Sequence, residues 1–215
     1  MPGKKWKVHL DRDRLIVLRK VVYRDSDLIV HGLNTLGAKV NYLAPAAVKS
    51  RRRFGGGVFD PTNFIEVIYQ KPAKSTGALV RLQEAQIIKE FQGLRRSYEV
   101  IQSSLSFLSL IDQIGQEGDQ HGEELFNLLG HGLQYLSQKE VASLPLFRLH
   151  FLLKFLFQQG VLNLESWMHP FLQCPLREHE VLATEFSAWS NNELLDRLIS
   201  VERSVQTYRE TGASQ

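Results

Sequence analysis

Ala78-Leu79-Val80-Arg81-Leu82-Gln83-Glu84-Ala85-Gln86-Ile87-Ile88-Lys89-Glu90-Phe91-Gln92-Gly93-Leu94 is where the chain changes period. Ala78 to Leu82 closes a series of short apolar runs. From Ile88 onward the apolar residues return every three or four positions. The first spacing belongs to strands and the second to helices.

Upstream, Leu15 to Val22 is β-branched and apolar, and Leu28 to Leu33 is a second run. Val40, Tyr42 and Ala44 alternate with Lys39 and Asn41 until Pro45 stops the run. Phe64 to Tyr69 is aromatic and β-branched, and Ala78 to Leu82 is a fifth, shorter run. Turn residues separate them at Asp25-Ser26-Asp27, Leu36-Gly37, Gly55 to Pro61, and Lys71-Pro72 to Gly77. Five short strands without a helix-length insert predict a small closed barrel; the oligonucleotide-binding (OB) and SH3-like barrels both have this count.

Downstream, Phe91, Leu94, Tyr98, Ile101, Leu105, Leu108 and Ile111 continue a stripe that starts at Ile88 and predict a helix ended by Gly115 and Gly118. Leu125, Leu128, Leu129, Leu133 and Leu136 predict a second, with Glu123 and Glu124 in its first turn. Residues 146–157 carry Phe147, Phe151, Phe155 and Phe157 among many leucines, which predicts a central buried helix closed by Gly160. Leu194 to Val205 predicts a last amphipathic helix with Asn191 or Asn192 as its N-cap. The expected fold is α+β in two domains: a five-stranded barrel over 1–82, then an all-α bundle over 83–215.

Charge follows the same division. The net +3 conceals 16 Lys+Arg against 6 Asp+Glu in residues 1–81, and 10 against 17 in residues 82–215. A module at +10 joined to one at −7 points to polyanion binding on the first and another role on the second. The densest charge is Lys49-Ser50-Arg51-Arg52-Arg53-Phe54-Gly55-Gly56-Gly57. Four cations are too costly to desolvate together, so the segment is expected to be exposed. Cations beside a ring and flexible glycines suit a nucleic-acid backbone and its bases. A solvated basic loop is the plainer alternative. The candidate nucleic-acid-binding residues are Arg19, Lys20, Arg24, Lys39, Lys49, Arg51, Arg52, Arg53, Lys71, Lys74 and Arg81. Tyr23, Tyr42, Phe54, Phe59 and Phe64 are interleaved with them; most should fill the barrel, and one or two could stack on bases.

The single cysteine, Cys174, excludes an internal disulfide and fits a reducing compartment. Residues 1–18 hold no run resembling a signal peptide, and Leu144 to Phe157 is too short and too charged to span a bilayer. A cytoplasmic protein with no membrane partner is expected. No phosphate loop, nucleophile elbow or His-Glu-x-x-His helix occurs, and turn or charge-pairing roles account for Asp11, Asp13, Asp25 and Asp27. His169, Cys174 and His179 stand five apart, broken by Pro170 and Pro175, which reads as a loop rather than a metal site. Neither a catalytic residue nor a cofactor is expected.

Several stretches resemble the bacterial recombination mediator family RecO. Tyr23-Arg24-Asp25-Ser26-Asp27-Leu28-Ile29-Val30 is similar to its Tyr-Gly-Glu-x-Asp turn and strand, and Thr35-Leu36-Gly37-Ala38-Lys39 to its next hairpin. Arg53-Phe54-Gly55-Gly56 with Pro61 resembles its Ser-Arg-Phe-Gly-Gly-x-Leu-x-Pro signature. Leu82 to Ala85, Phe91 to Leu94, and Phe151 to Leu156 with Gly160 resemble the crossing into its helical domain and that domain's central helix. The likeness spans about residues 13–175. Two departures stand out: Pro45-Ala46 replaces a Lys-Gly, and of the cysteine pairs that bind zinc in many members only Cys174 is present, Arg177 taking the second position.

The resemblance implies an OB barrel and a helical bundle. It also implies binding of single- and double-stranded DNA, strand annealing, and RecA loading onto strands coated by the single-stranded-DNA-binding protein. The implied partners are RecR and the acidic tail of that coating protein, with RecA engaged indirectly, and no hydrolytic activity. Arg95, Arg96, Arg148 and Lys154 are the candidate cations for such a tail. An RNA-binding adaptor with an OB clamp and a helical scaffold is the alternative.

Overall fold

The computed structural model describes residues 10–70, 79–114, 122–138 and 140–212. Candidate residues Lys71 and Lys74 lie outside the described residues. Strands β1 (Leu10–Tyr23), β2 (Asp27–Asn34), β3 (Lys39–Ala44), β4 (Phe64–Gln70) and β5 (Val80–Lys89) close a barrel in the order β1-β2-β3-β5-β4. All pairings are antiparallel except β3 with β5, where Tyr42 faces Val80 and Leu43 faces Arg81.

Alternation along the strands sends Leu15, Val17, Val30, Tyr42, Ile65, Val67 and Leu82 into one interior cluster. Each such side chain contributes about 1.5–3 kcal/mol on burial. Register shifts at Val17/Arg19 in β1 and Ile68/Tyr69 in β4 bend the strands as closure requires. The last strand runs on to Lys89, so residues 83–89, expected on the helical side, extend the barrel sheet; the two compact units part between Glu90 and Phe91.

Phe54 corrects the reading of the basic segment. It does not face a ligand: a single helical turn, α1 (Arg51–Phe54), buries its ring against Phe59 at 5.3 Å within the barrel core. Gly55 is required there, since a Cβ would meet the Arg51 carbonyl oxygen at 2.2 Å. The close approach this glycine permits is of the chain to itself.

The second unit consists of α2 (Tyr98–Ile114), α3 (Glu123–Gln138), α4 (Leu144–Gln158), α5 (His169–Gln173), α6 (His179–Glu185) and α7 (Asn191–Gly212), with short 3-10 turns at Gln92–Arg96, Ser166–Met168 and Leu176–Glu178. As the Phe/Leu run predicts, α4 is central: Phe147, Leu149, His150, Phe151, Leu153, Phe155 and Leu156 are fully buried. Phe107 of α2 stacks on Phe151 at 3.8 Å, and Tyr135 of α3 on Phe147 at 4.8 Å. Ser143 caps the start of α4 by accepting from Leu146 N, with Pro145 in the first turn. Gly160, at φ 68°, ends it: Gly160 N donates to Phe157 O and Val161 N to Leu156 O. No helix among the described residues is long and apolar enough to cross a membrane.

Four helical expectations are corrected. Ile88 lies in β5, and α2 begins only at Tyr98. The buried face of α2 is Val100, Ser103, Ser104, Phe107, Leu108 and Ile111, while Tyr98 is 73% and Leu105 43% exposed. Ser104 Oγ donates to Val100 O at 2.9 Å, so a small polar residue enters the core with its hydrogen bond made. Phe157 lies outside the core at 52% exposure. Ser190, not Asn191 or Asn192, caps α7: Glu193 N donates to Ser190 Oγ and Ser190 N to Glu193 Oε2, a reciprocal capping box.

Candidate nucleic-acid interface

The barrel gathers part of the predicted cation set at one end. Tyr23 pairs with Asp27 and Leu28 with Ala44 there, whereas Leu15 pairs with Asn34 and Leu33 with Lys39 at the other. Val48 N donates to Ser26 O at 3.0 Å and Ala46 N to Asp27 Oδ1 at 2.8 Å, which fastens the β3–α1 segment to the β1–β2 turn. Arg24, Lys49, Arg51 and Arg52 thus share one rim, all exposed. Arg81, opposite Leu43 near the start of β5, is exposed toward the same end. Lys39 is at the opposite end and does not join them.

The cations are not equivalent. Arg53 is fixed internally: its Nη2 donates to Pro45 O at 2.9 Å, its Nε to Ser50 Oγ at 3.2 Å, and its guanidinium lies 5.0 Å from the Phe54 ring centre. It shapes the loop rather than offering a free charge. Lys20 Nζ donates to Asp60 Oδ1 at 2.6 Å, joining β1 to the glycine loop and offsetting part of its charge. Arg19 and Lys39 also engage neighbouring groups. Of the rings, Tyr42, Phe54 and Phe59 are core and Tyr23 is 38% exposed, with Arg24 over its face at 5.1 Å. A cation stacked on an exposed ring is a surface on which a base can lie.

Arg12 and Arg14, interleaved with Asp11 and Asp13 along β1, meet Glu66 across the β1–β4 ladder at 3.5 and 3.0 Å. The Arg14 guanidinium holds the Glu66 carboxyl below its usual range. Asp13 turns inward, accepting from Tyr42 Oη at 2.9 Å and Asn34 Nδ2 at 3.3 Å. Only the strand register, which sets Arg14 opposite Glu66, reveals this neutralised patch.

In the helical unit, Arg96 and Arg148 line a cavity of about 680 Å3 with Val100, Val141, Leu144 and Pro145; Glu99 and Glu140 sit on its wall. Arg148 Nη2 donates to Glu202 Oε1 at 2.5 Å, while its Nε is buried without a hydrogen-bond partner. Arg95 does not line this cavity and engages another group. Lys154 does not reach it either: its Nζ donates to Leu172 O at 2.9 Å, a carbonyl of the last turn of α5, and burial lowers its pKa. The four candidate cations therefore reduce to two around one hollow of mixed polar and apolar lining.

The zinc that cysteine pairs bind in many members of that family does not fit the donors present in this chain. Cys174 points its thiol at the carbonyls of Glu178 (3.4 Å) and Pro175 (3.5 Å), and burial pushes its pKa up, disfavouring the thiolate a metal needs. Arg177 is exposed beside Glu178. Both ring nitrogens of the nearby His150 are engaged. Among the described residues no group of three or more His, Cys, Asp or Glu side chains is arranged to hold an ion.

Residues 9–91 match the family described as Recombination protein O N terminal. The DNA repair protein RecO of Maridesulfovibrio salexigens is 26% identical over 148 residues, covering 69% of this chain and 58% of its own length. That of Syntrophus aciditrophicus is 33% identical over 113 residues, covering 53% and 42%. That of Desulfatibacillum aliphaticivorans is 29% identical over 147 residues, covering 68% and 55%. The chain spans about half the length of the curated relatives it matches. Strand order and closure define an OB-type barrel, joined in this chain to a helical unit. This amino-terminal barrel is thus similar to the amino-terminal domain of the RecO family.

Proposed function

We propose that this chain is a DNA repair and recombination protein of the RecO kind, a non-enzymatic mediator that anneals complementary strands in the bacterial cytoplasm at the nucleoid. The observation that carries this reading is the rim of Arg24, Lys49, Arg51 and Arg52 on a barrel of that family. Exposed cations clustered at one barrel end neutralise phosphates of the strands brought to them and reduce the strands' mutual repulsion. Counterion release supplies the affinity and makes it salt-dependent. Single- and double-stranded DNA are both substrates in this reading, because the rim reads phosphate rather than base edges.

The helical unit takes the partner role. Its cavity sets Arg96 and the Glu202-paired Arg148 beside Val100, Val141, Leu144 and Pro145, with Glu99 and Glu140 on the same wall; Arg96 with this apolar stretch is the part that suits the acidic, apolar-ended tail of the single-stranded-DNA-binding protein. Holding that tail brings the barrel to coated strands, from which RecA loading follows indirectly; RecR is the further partner. The test of this half is binding of a tail peptide by fluorescence anisotropy. Arg96→Glu should weaken it at least tenfold, while Lys154→Gln, remote from the cavity, should change it less than twofold. Equal losses in both variants would contradict the assignment of the cavity.

A further inference from the structure

We infer that the segment after α4 is closed in this chain by a metal-free relay from the Cys174 carbonyl through His150 to His179, standing where many members of that family carry cysteine-bound zinc. His150 Nε2 lies 3.0 Å from Cys174 O, and His150 Nδ1 lies 3.2 Å from His179 Nδ1. A carbonyl can only accept, so His150 carries its proton on Nε2. His150 Nδ1 is then an acceptor, and His179 must donate from its own Nδ1. The 3.0 Å contact with Cys174 O sets both tautomers; the Phe171 backbone also faces the His150 ring.

The relay ties the middle of α4 to the end of α5 and the start of α6, residues 24 and 29 positions apart in the chain. One turn further along α4, Lys154 grips Leu172 O at 2.9 Å. The 172–179 turn is therefore held at both ends by side chains of a single rigid helix, the task a bound metal performs by gathering ligands. The environment is dry: His150 and His179 are 0% and 1% exposed, and the rings of Phe147, Tyr135 and Phe171 meet them edge-on. His179 Nε2 is left buried without a hydrogen-bond partner, and no further donor group joins it in a metal-binding cluster among the described residues.

The test uses the full chain. The purified protein should carry no stoichiometric zinc, and a strong chelator should leave its melting temperature unchanged. Nitrogen-15 NMR should show His150 protonated at Nε2 and His179 at Nδ1. His150→Phe strands the Cys174 carbonyl and the His179 N–H, and should lower the melting temperature by roughly 4–8 °C. Adding His179→Phe removes the second partner as well and should recover part of that loss. Retained zinc, a chelator-induced drop in melting temperature, or the opposite tautomers would each overturn the inference. Should His150→Phe fail to fold, the chelator response and tautomers of the unmodified protein still decide.

Discussion

Arg51→Glu/Arg52→Glu should reduce affinity for single-stranded DNA on the order of 100-fold at about 0.1 M salt, with the barrel still folded. Both side chains are exposed on α1 and have no role in the core, which that turn serves through Phe54. On single strands each phosphate contact contributes a slope of about −0.7 in log affinity against log salt, or roughly fivefold at 0.1 M. Losing two contacts should flatten the slope by about 1.4, and reversing the charges adds repulsion to the loss. Arg53 must be left in place. Its bonds to Pro45 O and Ser50 Oγ hold the loop, so Arg53→Glu mixes lost charge with lost structure. A salt titration of oligonucleotide binding checks this; an unchanged slope would move the DNA surface off the rim.

Acid should destabilise the helical unit well above the pH at which carboxylates protonate. Burial pushes His150 down to about 3 and His179 to about 4, from an ordinary value of 6.5. Both are neutral when folded, whereas in the unfolded chain they take up protons as pH falls through 6.5. The unfolded state therefore binds more protons below 6.5, and stability falls with pH. Each histidine costs about 1.4 kcal/mol per pH unit, His179 down to about 4 and His150 to about 3. The pair raises the cost of a second proton, and Lys154 opposes charging of His150; Glu180 works the other way on His179. At pH 5 the combined loss is on the order of 4 kcal/mol, a large part of a domain's usual 5–15. Glu66 and Glu193, both held below the usual carboxylate range, lose their contribution only at still lower pH. Urea unfolding at pH 7.5 and pH 5 measures the difference. Equal stabilities would show that the pair is not buried neutral.

What the sequence reveals here is what local periodicity and turn chemistry encode. The five strands, the Phe-rich central helix and the Gly160 stop all rest on residues within a few positions of one another. The misreadings come from pairs far apart in the chain. Ser103 and Ser104 enter the core because Ser104 bonds back to its own helix and because the aromatic rows of α2 and α4 interlock, neither of which an apolar count records. The continuation of β5 past Leu82 depends on pairing with β4, where Ala85 faces Val67 and Ile87 faces Ile65. Phe54 reads as a ligand-facing ring until Phe59 is seen to receive it. In the candidate site, the basic rim was legible as composition. The division of its cations into free, paired and loop-shaping ones required Asp60, Pro45 and Ser50 in space. His150 was hidden in the Phe/Leu run, and only its contact with His179 marks it.

The most direct measurement is annealing of two complementary oligonucleotides, each pre-coated with the single-stranded-DNA-binding protein, followed by fluorescence across a salt series. The proposed function predicts acceleration by the unmodified chain, a steep decline with salt, and loss in Arg51→Glu/Arg52→Glu. No acceleration, with RNA of the same sequence still bound, would contradict it and make this barrel an RNA clamp on a helical scaffold.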